Sequence, residues 1–88
     1  MSTTISTIKE VVAKLRRQPE LAVELDDDAD LVDEIMLDSL EMLQFMLELE
    51  DKLQVRIDFE ALEFSYLHSL RRLAVFLDAM PAAAASDA

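Results

Sequence analysis

The sequence contains no cysteine and no glycine, and its 19 acidic side chains against 8 lysines and arginines leave a formal charge of −11. Without cysteine there can be no disulfide, no thiolate nucleophile and no cysteine-based zinc site, so any thiol chemistry has to come from an added group. Without glycine, no residue accepts a positive φ cheaply. The shortage of cations argues against nucleic acid or an anionic membrane as partner and for a basic protein surface, although acidity also serves solubility alone. No apolar run approaches the roughly 18–20 residues needed to cross a bilayer. Residues 1–25 lack the basic-then-apolar profile of a signal peptide, so a cytoplasmic location is expected; the chain is also expected to be a monomer. Its 88 residues permit one domain. A chain this short buries only roughly 60–65% of its unfolded surface, which supports one modest core and no deep catalytic cavity.

What is present is organised around Leu37-Asp38-Ser39-Leu40-Glu41. An aspartate followed three residues later by glutamate, and then by an apolar-periodic run, is the signature of a capped helix start. Asp38 is the expected cap and Ser39 the first helical residue. A hydroxyl there is exposed, next to free backbone N–H groups and the positive end of the helix dipole, where a phosphate is welcome. This helix is expected over residues 39–53. Its apolar positions Leu40, Met42, Leu43, Phe45, Met46, Leu47, Leu49 and Leu53 cover more surface than one core contact requires, so part should remain near solvent. Its polar positions are mostly acidic. Met42 and Met46 read as core filler, although flexible thioethers also suit a cavity that accepts several shapes.

A first helix, capped by Ser2 or Thr3, carries Ile5, Ile8, Val11, Val12 and Leu15 on one face. Lys14, Arg16 and Arg17 fall in its last turn, where cations complement the dipole, and Pro19 stops it. A nucleic-acid patch is the weaker reading of those three. Residues 18–37 form a long connection with Leu21, Val23, Leu25, Leu31 and Ile35 as anchors and a possible helical turn over 31–35. Asp26, Asp28 and Asp30 alternate like the opening of a calcium loop. Leu31 stands where that loop needs glycine and Leu37 where it needs glutamate, so the run reads as a solvated acidic loop and no metal site is expected.

Gln54 to Asp58 alternates like a strand but has no partner strand, and reads as extended loop. Asp58 is the expected cap of a short third helix over residues 59–64, and Ser69 that of a fourth over residues 70–80 ended by Pro81. The fourth helix's buried stripe is Leu70, Leu73, Phe76, Leu77 and Met80. The core should combine Ile8, Val11, Leu15, Met42, Phe45, Met46, Leu49, Leu53, Leu70, Leu73 and Phe76. His68 has no nucleophile or second ligand near it in sequence and reads as structural or exposed. A single domain over residues 1–80, holding the site and the core, would thus be followed by a disordered, alanine-rich tail over 81–88.

Asp38-Ser39-Leu40 in this setting resembles the Asp-Ser-Leu motif of acyl and peptidyl carrier proteins. The likeness extends from about Ile5 to Met80, through the apolar-acidic approach from Leu31 to Asp38 and the Leu49-Glu50-Asp51-Lys52-Leu53 end of the serine-led helix. It implies an all-α, four-helix bundle with a long first loop and a short third helix. It also implies a covalent 4′-phosphopantetheine on Ser39, with Asp38 and Leu40 flanking it, and no catalysis by the chain itself. A phosphopantetheinyl transferase would install the arm, a ligase or acyltransferase would load cargo, and downstream synthases or transferases would consume it. These partners would meet Leu40, Leu43 and Leu47 as apolar contacts and Glu41, Gln44, Glu48, Glu50 and Asp51 as polar ones. Charge on that face would speed encounter.

Two departures matter. Met36 replaces a glycine common two residues before the aspartate. The Gly-Gly that often precedes the motif in multimodular peptide synthetases and the Ile-Pro that often follows the second helix of fatty-acid carriers are both absent, which points to a discrete, pathway-dedicated carrier. Leu37-Asp38-Ser39 with Gln44 resembles the D-alanyl branch, so the cargo is aminoacyl, fatty or polyketide. The competing class is a small acidic helical interaction module without a prosthetic group. A serine hydrolase fits poorly, because Ser39 lacks a glycine-flanked elbow and His68 would be its only imidazole base.

Overall fold

The computed structural model describes residues 3–82. The expected Ser2 cap and positions 83–88 of the expected tail lie outside the described residues. The chain forms α1 (Thr3–Arg16), a single-turn α2 (Leu21–Glu24), α3 (Ser39–Leu53), a 3₁₀ helix (Phe64–His68) and α4 (Leu70–Asp78). Among the described residues there is no strand, so the all-α bundle is as expected; α1 packs against α2, α3 and α4, and the 3₁₀ helix against α4. No helix is long and apolar enough to cross a membrane.

The core follows from the periodicity of the three long helices. Ile8, Val11 and Val12 of α1, Phe45, Met46 and Leu49 of α3, and Leu70, Leu73, Ala74 and Leu77 of α4 are buried together. Leu15, Met42, Leu53 and Phe76 are only half-buried at its edge. Outside the long helices the core is completed by Leu31, expected as an anchor of the connection, and by four residues with no such expectation: Ala29, Leu37, Ile57 and Leu67. All four lie in irregular or 3₁₀ segments, where no helical period marks them.

Three expectations need correction. The third helix forms over Phe64–His68 instead of residues 59–64; Asp58 caps only a turn, accepting from the Glu60 N–H at 3.0 Å, while the Ala61 N–H bonds the Asp58 carbonyl at 3.1 Å. Leu67 is the apolar residue that reaches the core, and its carbonyl accepts from the Leu31 N–H at 2.9 Å, so the helix forms where this tie holds it. In the long connection Val23 is exposed and anchors nothing. Finally, the segment after α3 is extended loop without a strand as expected, yet the tail is not free of it: Val55 forms an isolated antiparallel bridge with Ala82, and the Arg56 N–H donates to the Pro81 carbonyl at 3.0 Å. Residues 81 and 82 of the expected tail are therefore tied to the loop after α3.

The acidic loop is also paired where a solvated run was expected. Lys9 Nζ lies 2.6 Å from Asp27 Oδ1, Arg71 Nε 3.0 Å from Asp28 Oδ1, and His68 Nδ1 2.6 Å from Asp30 Oδ2. The hydrogen bond from Lys9 holds the Asp27 carboxyl below the ordinary carboxylate range, and that from Arg71 does the same to Asp28. For Asp30, partial burial pushes upward but is outweighed by bonds from the Asp33 N–H, His68 and the Val32 N–H, which leave it lowered. These pairs fasten the connection to α1 on one side and to the start of α4 on the other.

Candidate functional site

Helix α3 begins as its sequence demands. Asp38 Oδ1 accepts from the Glu41 N–H at 2.8 Å and Glu41 Oε1 accepts from the Asp38 N–H at 3.1 Å, a closed capping box. Asp38 has extended backbone (φ −80°, ψ −179°), so the chain enters the helix from outside. Ser39 is then the first helical residue and is exposed. Its N–H and that of Leu40 belong to the first turn, where no intrahelical acceptor exists. The Asp38 carboxylate is engaged by the cap, which fixes the start of the helix beside the Ser39 hydroxyl.

The approach to Ser39 answers the missing glycine. Met36 adopts φ 63°, the left-handed region, and two further non-glycine residues, Arg17 and Gln54, do so at the C-termini of α1 and α3. At those ends a hydrogen bond to a carbonyl five residues back closes the turn, from the Gln18 N–H to Ala13 and from the Val55 N–H to Glu50, as left-handed helix ends require. Met36 ends the turn over 31–35, in which the Ile35 N–H bonds the Asp30 carbonyl at 2.8 Å. The chain then turns Leu37 into the core, with its N–H on the Leu31 carbonyl at 3.1 Å. Burial of Leu37 and exposure of Met36 and Ser39 are thus parts of one backbone path.

An apolar cleft of about 410 Å³ opens beside Ser39, between α3 and the segment leading into the 3₁₀ helix. Met42, Met46, Phe59, Leu62 and Phe64 line it, with Asp38 and Ser39 at its rim. Its volume is within the range of small-molecule sites, about 300–1,000 Å³. Phe59, Leu62 and Phe64 were not legible as site residues, because only tertiary packing brings them against α3.

The predicted contact residues divide into two groups. Leu40, Leu43 and Leu47 share one face and are each more than half exposed, and Gln44 and Asp51 are exposed as well. The remaining acids have intramolecular partners. Glu41 closes the cap and lies 3.6 Å from Arg16 Nη2, Glu48 Oε2 lies 2.5 Å from Lys14 Nζ, and Glu50 Oε2 accepts from the Ile57 N–H at 2.8 Å. The hydrogen bond from Lys14 lowers the Glu48 carboxyl below its ordinary value. The last turn of α1 lies along α3, so its cations neutralise part of the acidic face instead of standing apart from it.

An exposed serine at a helix N-terminus, beside an apolar cleft, stands where a phosphate would be favoured. Comparison with curated proteins and with solved structures found no match. Residues 6–77 match the family model described as the phosphopantetheine attachment site. Proteins of this family are non-catalytic carriers that bear 4′-phosphopantetheine covalently on a serine. With most of its length matched and the expected helical bundle in place, the chain belongs to the phosphopantetheine-bearing carrier protein family.

Proposed function

We propose that Ser39 is the attachment serine, and that the protein is a discrete cytoplasmic carrier. It would hold an acyl or aminoacyl cargo in a dedicated polyketide or nonribosomal-peptide pathway. The position of Ser39 carries this reading. The matched stretch contains four serines, Ser6, Ser39, Ser65 and Ser69. Ser6 lies inside α1 and Ser65 inside the 3₁₀ helix. Ser69 Oγ donates to Asp28 Oδ1 at 3.2 Å and accepts from the Arg72 N–H at 3.4 Å. Ser39 alone of the four is the first residue of a helix, and it is exposed there.

When attached, the group supplies a terminal thiol on which cargo is held as a thioester. The chain's own part is binding and presentation. The first-turn N–H groups of Ser39 and Leu40, with the α3 dipole, favour the negative phosphodiester. Asp38 and Glu41 keep that helix start closed. Met42, Met46, Leu62 and Phe64 offer an apolar portion of the cargo a place out of water. Leu40, Leu43 and Leu47 form the docking stripe for the transferase that installs the arm, for the ligase or acyltransferase that loads it and for the synthase or transferase that unloads it. Tethering raises cargo concentration at each docked enzyme.

The test is intact mass after incubation with coenzyme A and a promiscuous phosphopantetheinyl transferase. The wild type should gain one phosphopantetheine. Ser39→Ala, which leaves the Asp38–Glu41 cap in place, should fold and stay unmodified. Modification of the alanine variant, or none of the wild type, would remove Ser39 from this role.

A further inference from the structure

We infer that Arg16 is a positioning residue for modification of Ser39, acting through the glycine-free loop that leads to it; the inference rests on the assignment of Ser39 above. Arg16 Nη2 donates to the Ile35 carbonyl at 2.6 Å and to the Met36 carbonyl at 2.9 Å. Those two carbonyls belong to the peptide planes on either side of the Met36 α-carbon, so fixing both fixes φ and ψ of the one residue in this loop with positive φ. The same nitrogen lies 3.6 Å from Glu41 Oε1, the atom that also accepts from the Asp38 N–H. One guanidinium therefore joins the end of α1, the left-handed residue and the cap of α3.

A methionine held at φ 63° would leave that region for β or right-handed geometry if released. The peptide planes leading to Asp38 would then swing, and the cap beside Ser39 would lose its entry angle. Arg16 supplies by hydrogen bonding the conformational bias that glycine would supply by lacking a Cβ. The sequence hides this, because a basic residue in the last turn of a helix already has an ordinary explanation in the helix dipole.

The experiment compares wild type, Arg16→Met, Arg16→Lys, Met36→Gly and the Arg16→Met/Met36→Gly double variant. Arg16→Met keeps the apolar stem and removes the donors. Two quantities are read: kcat/KM for phosphopantetheine transfer from coenzyme A, by intact mass, and amide exchange over residues 36–40. Arg16→Met should lose about ten-fold in kcat/KM, the order of the population shift expected when a left-handed non-glycine residue is no longer held, and should exchange faster over 36–40. Met36→Gly alone should change little. The double variant should recover most of the loss, which a general destabilisation by Arg16→Met would not allow. Should Arg16→Met fail to fold, Arg16→Lys with and without Met36→Gly decides by the same criterion. An arginine variant modified at the wild-type rate overturns the inference, and so does a slow one that Met36→Gly does not rescue. An unmodified wild type instead overturns the Ser39 assignment, a separate outcome.

Discussion

Replacing Met36 by glycine should stabilise the protein relative to replacing it by alanine. Met36 sits at φ 63° and is 67% exposed. Both substitutions discard the same limited packing, so their difference isolates the backbone. Left-handed geometry costs an L-residue with a Cβ about 1–2 kcal/mol, and glycine lacks that penalty. Glycine also enlarges the unfolded ensemble, which takes back about 0.4–1 kcal/mol. Taking the middle of each range, the glycine variant should exceed the alanine variant by about 0.8 kcal/mol, or about 3–6 °C in Tm for a domain of this size. Urea denaturation followed by circular dichroism measures it, with equal m-values as the check that the unfolded states are comparable. Asparagine, which tolerates this region better than most residues, should fall between the two. An alanine variant as stable as the glycine variant would mean that Met36 does not occupy the left-handed region in solution, and the account of the loop before Ser39 would fail with it.

Docking through the apolar stripe predicts that Leu47→Ala, at a half-exposed position, loses about 1 kcal/mol of partner binding, roughly five-fold in KM for loading. Because Glu41 and Glu48 already face Arg16 and Lys14, raising salt should slow the wild type less than this substitution does; a strongly salt-sensitive wild type with an unaffected Leu47→Ala would reverse the assignment. The lowered carboxyls of Asp27 and Asp28 make a pH prediction. Each binds fewer protons folded than unfolded near its ordinary value, so its contribution is present above about pH 4 and is lost as pH falls through the folded value. The stability advantage of wild type over the Asp27→Asn/Asp28→Asn variant, read from urea midpoints, should hold at pH 6–7 and shrink below about pH 4. Taking the difference sets aside most of the relief of overall charge repulsion on acidification, and an advantage that grows toward acid would contradict the pairing.

The start of α3 was legible residue by residue because everything that makes it is local. Asp38 and Glu41 are three positions apart, the apolar period follows at once, and the helix spans Ser39–Leu53 as that pattern requires. The same holds for the Ser69 cap of α4 and for the apolar stripe of α1. Residues that act across the chain left no such mark. Arg16 reaches a loop 19 and 20 residues away, Lys14 reaches Glu48 across 34, and Arg71 reaches Asp28 across 43. Each has an unremarkable local reading as a solvated or dipole-complementing charge. The third helix departs from its expected position for a related reason: Asp58 has the chemistry of a cap, and only the packing of Leu67 against the loop at Leu31 selects Phe64–His68. Sequence alone thus determined the three long helices and which serine heads one of them, since hydrogen bonds and periodicity within a few residues decide both. Tertiary structure decided which charges remain for a partner, where the apolar cleft opens and how a chain without glycine holds its left-handed turn, since each depends on groups that only folding brings together.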